Sequence, residues 1–200
     1  MNKAQNRHLV LMVKEPRPGR VKTRLGRDIG LTASAWWFRH QVSRLIRELD
    51  DPRWHLVLAV APDHAGMRSR VWPAHLPRIP QGRGDLGQRM ARVMRHMPPG
   101  PVCVIGADVP DLRAHHITRA FVALGSHDAV FGPAEDGGYW LTGLKRMTSP
   151  SPQLFKNVRW STSHALSDSI VSLGQVKVAL TDTLGDVDTL ADLKALTARS

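Results

Sequence analysis

The sequence predicts an α/β fold: a mostly parallel, mixed sheet with helices on both faces. Three observations carry this reading. Short, β-branched apolar runs alternate with stretches of helical periodicity. After residue 125 the order of strand-like and helical segments becomes irregular, which calls for at least one antiparallel strand. No internal repeat, low-complexity tract or break in composition marks a second unit, so residues 1–200 are expected to form one domain.

Each element has its own signal. His8–Val13 reads as a first strand, followed by a basic loop, Lys14–Gly30. Thr32–Leu49 places Ala33, Trp36, Trp37, Leu45, Ile46 and Leu49 at helical spacing, with Thr32 as its expected N-cap. Trp54–Val60 is a second strand, and Asp63 is placed to cap a short helix. Residues 72–84, rich in Pro and Gly, read as loop. Asp85–Met97 is a helix whose stripe is Leu86, Met90, Val93, Met94 and Met97. Pro101–Ile105 is a third strand, Ala114–Leu124 a helix, and Ala129–Phe131 and Tyr139–Leu144 are strands. Ser161–Leu173 is helical, Val176–Leu180 a strand, and Thr189–Thr197 the closing helix.

Composition narrows the function. An apolar fraction of 42% fits a folded domain rather than a disordered chain. No apolar run approaches the roughly eighteen residues that a membrane span needs, and the short apolar run after the basic start does not make a signal peptide. A cytoplasmic location is the expectation, and the single cysteine agrees with it: Cys103, inside Val102–Ile105, reads as a small core residue. Charge is uneven. Residues 1–100 hold 19 basic and 7 acidic side chains, whereas residues 101–200 hold 9 and 10. Such a half suits a polyanionic ligand. No nucleic-acid reader motif accompanies it and no aromatics interleave with the basic residues, which disfavours a nucleic-acid partner.

Four segments carry chemistry, and in an open α/β sheet ligands bind beyond the carboxyl ends of strands. The first, Lys14 to Leu25, leaves the first strand with five cations: Lys14, Arg17, Arg20, Lys22 and Arg24. Pro16 and Pro18 stiffen it, Gly19 permits close backbone approach, and Thr23 adds a hydroxyl, all suited to phosphate. It is not a nucleotide-hydrolase P-loop, because Pro16 and Val21 stand where that motif requires glycines. The second, Ile105-Gly106-Ala107-Asp108-Val109-Pro110-Asp111, ends a buried strand. Asp108 is placed to hold a cation such as Mg²⁺, while Asp111 is either a second ligand or a helix cap.

The third segment, Gly185-Asp186-Val187-Asp188-Thr189, sets Asp186 and Asp188 at alternate positions, facing one side of an extended chain. Asp188 or Thr189 can equally cap the last helix. The fourth, Gly132 to Trp140, combines Glu135 and Asp136 with Gly137, Gly138, Tyr139 and Trp140. Carboxylates and aromatic faces suit sugar recognition, and a plain Gly-Gly turn is the alternative. Gln81 to Met90 adds a glycine-rich helix start at Gly84 and Asp85, whose N–H groups can meet a phosphate or a base. None of the ten histidines shows metal-ligand spacing.

In order, the blocks KEPRPGRVKTRL, QGRGDLGQRM, IGADVPDL, GPAEDGGYWLTGL, FKNVRWST and DVDTLADL resemble the small bacterial rSAM/selenodomain-associated transferases, usually labelled glycosyltransferases. The resemblance runs from residue 14 to 193. It implies a Rossmann-like fold of GT-A type within the nucleotide-diphospho-sugar transferases. It also implies phosphate contacts from Lys14, Arg20, Lys22 and Arg24, and a metal on Asp108 with Asp186 or Asp188. Asp136-Gly137-Gly138-Tyr139 would then line the sugar or acceptor side. Typical GT-A glycosyltransferases carry Asp-X-Asp where this chain has Asp108-Val109-Pro110-Asp111. The Lys22-Thr23-Arg24-Leu25 and Asp186-Val187-Asp188-Thr189 elements also look like those of nucleotidyltransferases, including the molybdenum-cofactor and phospholactate guanylyltransferases.

The expectation is a metal-dependent glycosyltransferase that uses Mg²⁺ or Mn²⁺ and a nucleotide-sugar donor on a small-molecule acceptor. Asp136 would be the general base and Lys22 would be catalytic. One rival is a nucleotidyltransferase acting on a nucleoside triphosphate and releasing pyrophosphate. Another is a non-catalytic nucleotide- or nucleic-acid-binding protein.

Overall fold

The computed structural model describes residues 6–147 and 149–198. Along the chain lie β1 (His8–Lys14), α1 (Thr23–Ile29), α2 (Leu31–Leu49), β2 (His55–Ala61), α3 (Asp63–Arg68), β3 (Arg78–Pro80) and α4 (Leu86–His96). They are followed by β4 (Val102–Ile105), α5 (Ala114–Ala123), β5 (Ala129–Pro133), β6 (Tyr139–Leu144), α6 (Ala165–Ser172), β7 (Val178–Leu180) and α7 (Leu190–Ala198). The strands form one seven-stranded sheet in the order β3-β2-β1-β4-β6-β5-β7. Strand β6 runs antiparallel to both β4 and β5, and the remaining pairings are parallel. The mixed α/β fold predicted from the sequence is therefore the fold observed.

The period of two along each central strand builds two cores, one per face. Leu9, Leu11 and Val13 of β1, with Cys103 and Ile105 of β4, meet Val42, Leu45 and Ile46 of α2 and Ile117 and Phe121 of α5. The alternate residues Val10, Val102 and Val104 meet Met90, Val93 and Met94 of α4 on the other face. Both faces being covered, these strands are apolar at nearly every position. Cys103 is fully buried, and burial pushes its thiol up, so it is a core residue without nucleophilic character. No described helix is long and apolar enough to cross a membrane.

Five local expectations are corrected. The basic loop after β1 contains α1, a two-turn helix that buries only Leu25 and Gly26 and therefore shows no stripe. A Cβ on Gly26 would sit 2.8 Å from Leu31 Cδ2, so α1 lies directly on the start of α2. Helix α2 begins at Leu31 behind Gly30 (φ 91°), and Thr32 is not its cap. Asp63 lies within the first turn of α3, and its carboxylate accepts from Gly82 N–H at 3.0 Å instead of capping. Residues 72–84 include β3, whose three residues are too few for a period-two signal. The helix expected from Ser161 begins only at Ala165. By contrast Asp85 does cap α4, accepting from Gln88 N–H at 2.8 Å.

Leu11 has no solvent exposure at the centre of the sheet. We expect Leu11→Ala to lower unfolding free energy by about 2–5 kcal/mol in a denaturant titration. A loss under about 1 kcal/mol would contradict this packing.

Candidate functional site

Strand β1 has β2 on one side and β4 on the other, and the chain reaches β4 only after β2 and β3. The loops leaving β1 and β4 therefore diverge, which opens a crevice at their carboxyl ends. A cleft of about 710 Å³ occupies this place.

The loop after β1 supplies Lys14, Arg20, Lys22, Thr23 and Arg24 to its wall. Lys22 is in the left-handed region (φ 44°, ψ 48°) immediately before α1, a conformation that costs a non-glycine residue energy and that often occurs at functional sites. Its ammonium lies 3.0 Å from Asp108 Oδ2 and 2.6 Å from Asp188 Oδ1, and its side chain is 6% exposed. Burial alone lowers the ammonium pKa, but Asp108 and Asp188 together more than offset that, so it is raised and Lys22 is charged. Arg24 Nη1 stands 3.5 Å from Asp188 Oδ2.

Main-chain bonds bring the acids together. Gly106 N–H donates to Trp140 O at 3.2 Å, tying the end of β4 to β6, and Val187 N–H donates to Asp108 O at 3.1 Å. Val187 is buried, so the alternation of an extended chain sends Asp186 and Asp188 to the cleft side. Thr189 rather than Asp188 caps α7, its hydroxyl accepting from Asp192 N–H at 3.3 Å. The Asp192 carboxylate accepts from Asp188 N–H (3.0 Å), Thr189 N–H (2.7 Å) and the Thr189 hydroxyl (2.8 Å). That leaves the Asp188 carboxylate free to face Lys22.

Carboxylate oxygens of Asp108, Asp186 and Asp188 all lie within 4.8 Å of one another. Asp186 opens to water at the cleft mouth, yet the surrounding walls and then the Asp108 and Asp188 carboxylates push its acid up to about 6. Hard oxygen donors carrying excess negative charge are the set that Mg²⁺ or Mn²⁺ prefers, so these residues can hold such an ion. Asp111 is outside this cluster, and α5 has Arg113 rather than Asp111 as its N-cap. Arg44 of α2 and Arg113 both donate to the Pro110 carbonyl, which fixes the loop that follows Asp108.

The opposite wall comes from the β5–β6 turn and the segment before α6. Asp136 lines the cleft and accepts from Gly138 N–H at 2.9 Å with one oxygen. Tyr139 also lines it, but its hydroxyl is 3.1 Å from Ser169 Oγ and its ring packs edge-on against Phe131. Burial pushes the phenol up. Trp140 is 4% exposed and donates its indole N–H to Asp182 O at 2.9 Å, which leaves little ring for a sugar to stack on. Gly84 and Asp85 reach the cleft at the start of α4. Gly19 and Gly137 do not line it. Both have positive φ, 73° and 84°, and a Cβ on Gly137 would come within 2.6 Å of Ser163 Cα.

Some wall residues carried no role in the sequence reading. Trp160, Ser161 and Thr162 face the cleft, with Trp160 edge-on to Tyr139 and to Phe155. Their segment is pinned to α6 by Arg159, whose main-chain N–H and guanidinium bind the Asp168 carboxylate at 2.8–3.0 Å and hold it well below the usual range. Nothing periodic marks this stretch. Gln81, buried beneath the floor, donates to Val13 O and Ala59 O and so joins the ends of β1 and β2.

Comparison with known proteins agrees with this architecture. A candidate nucleotide-diphospho-sugar transferase from Desulfovibrio desulfuricans G20 is 29% identical, with a TM-score of 0.82 over 96% of this chain and 86% of that one. The inositol-1-phosphate CTP transferase of T. maritima is 12% identical, with a TM-score of 0.61 over 98% and 94% of the two chains. Rv0371C of Mycobacterium tuberculosis H37Rv, solved with manganese, is 15% identical, with a TM-score of 0.57 over 96% and 97%. The last two share the fold alone. Among curated proteins there is no match. Residues 45–162, more than half of the chain, match the family described as uncharacterized proteins conserved in bacteria (DUF2064), and the chain belongs to that family.

Proposed function

We propose that this cleft binds the diphosphate of a nucleotide sugar together with Mg²⁺ or Mn²⁺ and transfers the sugar to a small acceptor. The carrying observation is the group Asp108, Asp186 and Asp188 set against the basic loop after β1. In this reading the three aspartates hold the cation, which when bound neutralises charge on the departing diphosphate. Lys14, Arg20, Lys22 and Arg24 contact the phosphates, with Thr23 donating a hydroxyl and Gly19 shaping the loop. Gly84 and Asp85 border the nucleotide, and Asp136 accepts the proton of the acceptor hydroxyl. Gly137, Gly138 and Tyr139 shape the sugar side, with Trp140 supporting it from the core. We place the activity in the cytoplasm, in keeping with the lone buried Cys103.

Charge supports a nucleotide sugar as donor. The lining cations Lys14, Arg20, Lys22, Arg24 and Arg89 equal in number the lining acids Asp85, Asp108, Asp136, Asp186 and Asp188. A dianionic nucleotide sugar with one divalent cation leaves that balance undisturbed, whereas a nucleoside triphosphate adds further negative charge. The resemblance to the rSAM/selenodomain-associated transferases points the same way. The second reading is nucleotidyl transfer, favoured by the likeness of Lys22-Thr23-Arg24-Leu25 and Asp186-Val187-Asp188-Thr189 to nucleotidyltransferase elements.

A thermal-shift screen of nucleotide sugars, nucleoside diphosphates and triphosphates, each with and without Mg²⁺ or Mn²⁺, tests the binding. The expected result is a metal-dependent rise with a nucleotide sugar, worth about 2.7 kcal/mol at a hundredfold excess over Kd. No shift with any nucleotide would sink the proposal. Once the donor is known, release of nucleoside diphosphate is expected on turnover, and release of pyrophosphate would assign nucleotidyl transfer instead. Asp108→Ala and Lys22→Ala are each expected to reduce turnover by at least about 10²-fold while retaining a cooperative unfolding transition. Wild-type rates in either would remove that residue from the site.

A further inference from the structure

The cleft does not account for the charge of this chain. With its lining cations and acids equal in number, the excess of Lys and Arg over Asp and Glu among the described residues lies outside the cleft lining. Part of it lies between Lys14 and Arg47, where Arg17, Arg27, Arg39, Arg44 and Arg47 stand outside the cleft lining beside two acids, Glu15 and Asp28. Arg17, Arg20, Arg24, Arg27, Arg39 and Arg47 are all exposed there.

The same corner exposes large apolar side chains. Trp36 is 54% and Leu31 46% exposed. On α2, Thr32, Trp36, Arg39, Ser43 and Arg47 recur at three- and four-residue spacing and so share a face. Leu31 joins that helix to the basic loop, since a Cβ on Gly19 would touch its Cδ1 at 3.8 Å. Trp36 is flanked by Arg39, whose Cζ lies 5.5 Å from the ring centroid, and by a stacked His40 at 5.6 Å.

We propose that the exposed face of α2 docks on an anionic lipid bilayer, with Trp36 at headgroup depth and Arg39 and Arg47 on lipid phosphates. An indole among guanidinium groups is the composition favoured at a membrane interface, and clustered cations draw a surface toward anionic headgroups. A nucleic acid is the poorer fit, because no nucleic-acid reader motif accompanies this face.

The test is co-sedimentation of the full chain with phosphatidylcholine vesicles and with vesicles containing phosphatidylglycerol, at low and high salt. The wild type is expected to pellet with the anionic vesicles only and to be released by salt. The variant Trp36→Ala/Arg39→Glu lies outside the cleft. Each unit of charge near the surface changes affinity about fivefold, so the reversal should weaken binding at least about twentyfold. Arg47→Glu, on the same face, is the second variant should the first fail to fold. Failure of the wild type to pellet, or equal pelleting of the folded variants, overturns the proposal. So does tighter binding to single-stranded nucleic acid that the same substitutions weaken.

Discussion

A buried ammonium between two carboxylates from distant parts of the chain organises this molecule. Lys22 reaches Asp108, 86 residues away, and Asp188, 166 residues away. Burial disfavours the Lys22 charge on its own, and the two carboxylates compensate it. Losing one member of a fully buried pair costs about 3–5 kcal/mol, and the cost here is smaller because the two carboxylates are 39% exposed. The arrangement thus draws the first loop, the central loop and the segment before the last helix to one point. Left-handed geometry at Lys22 is tolerated because that pairing, and the packing of α1 behind it, fix the loop.

The sheet decides where that point lies. Two apolar faces force helices onto both sides of β1 and β4, and the crossover between them leaves the carboxyl ends open. Antiparallel β6 then closes the far side of the site. Its first residues, through the Asp136–Gly138 turn and Tyr139, face the basic loop across the cleft. Specific main-chain bonds, Val187 to Asp108 and Gly106 to Trp140, convert this topology into a fixed spacing of acids.

Much of this was legible in the sequence. Long periodic segments such as α2 and α4, and the apolar runs of β1, β2 and β4, announce themselves because one dominant interaction, burial, sets their pattern. The cations after β1 and the acids after β4 and before α7 were found because strand ends are where ligands sit. Short elements escaped. Helix α1 buries two residues and β3 has three in all, so neither leaves a periodic trace. Asp111 was left open between ligand and cap; Arg113 caps α5 instead, and Asp111 lies outside the group of Asp108, Asp186 and Asp188. Trp140 looked like a stacking platform, but the position after Tyr139 in β6 points into the core. Trp160 was missed because its segment is ordered by Arg159–Asp168 and by ring packing, contacts that no local pattern encodes.

A crystal structure grown with Mn²⁺ and a nucleoside diphosphate tests the central claim most directly, through the anomalous signal of manganese. The account predicts a peak among the oxygens of Asp108, Asp186 and Asp188, with the diphosphate lying against the loop from Lys14 to Arg24. A peak elsewhere, or a diphosphate bound away from that loop, would contradict it.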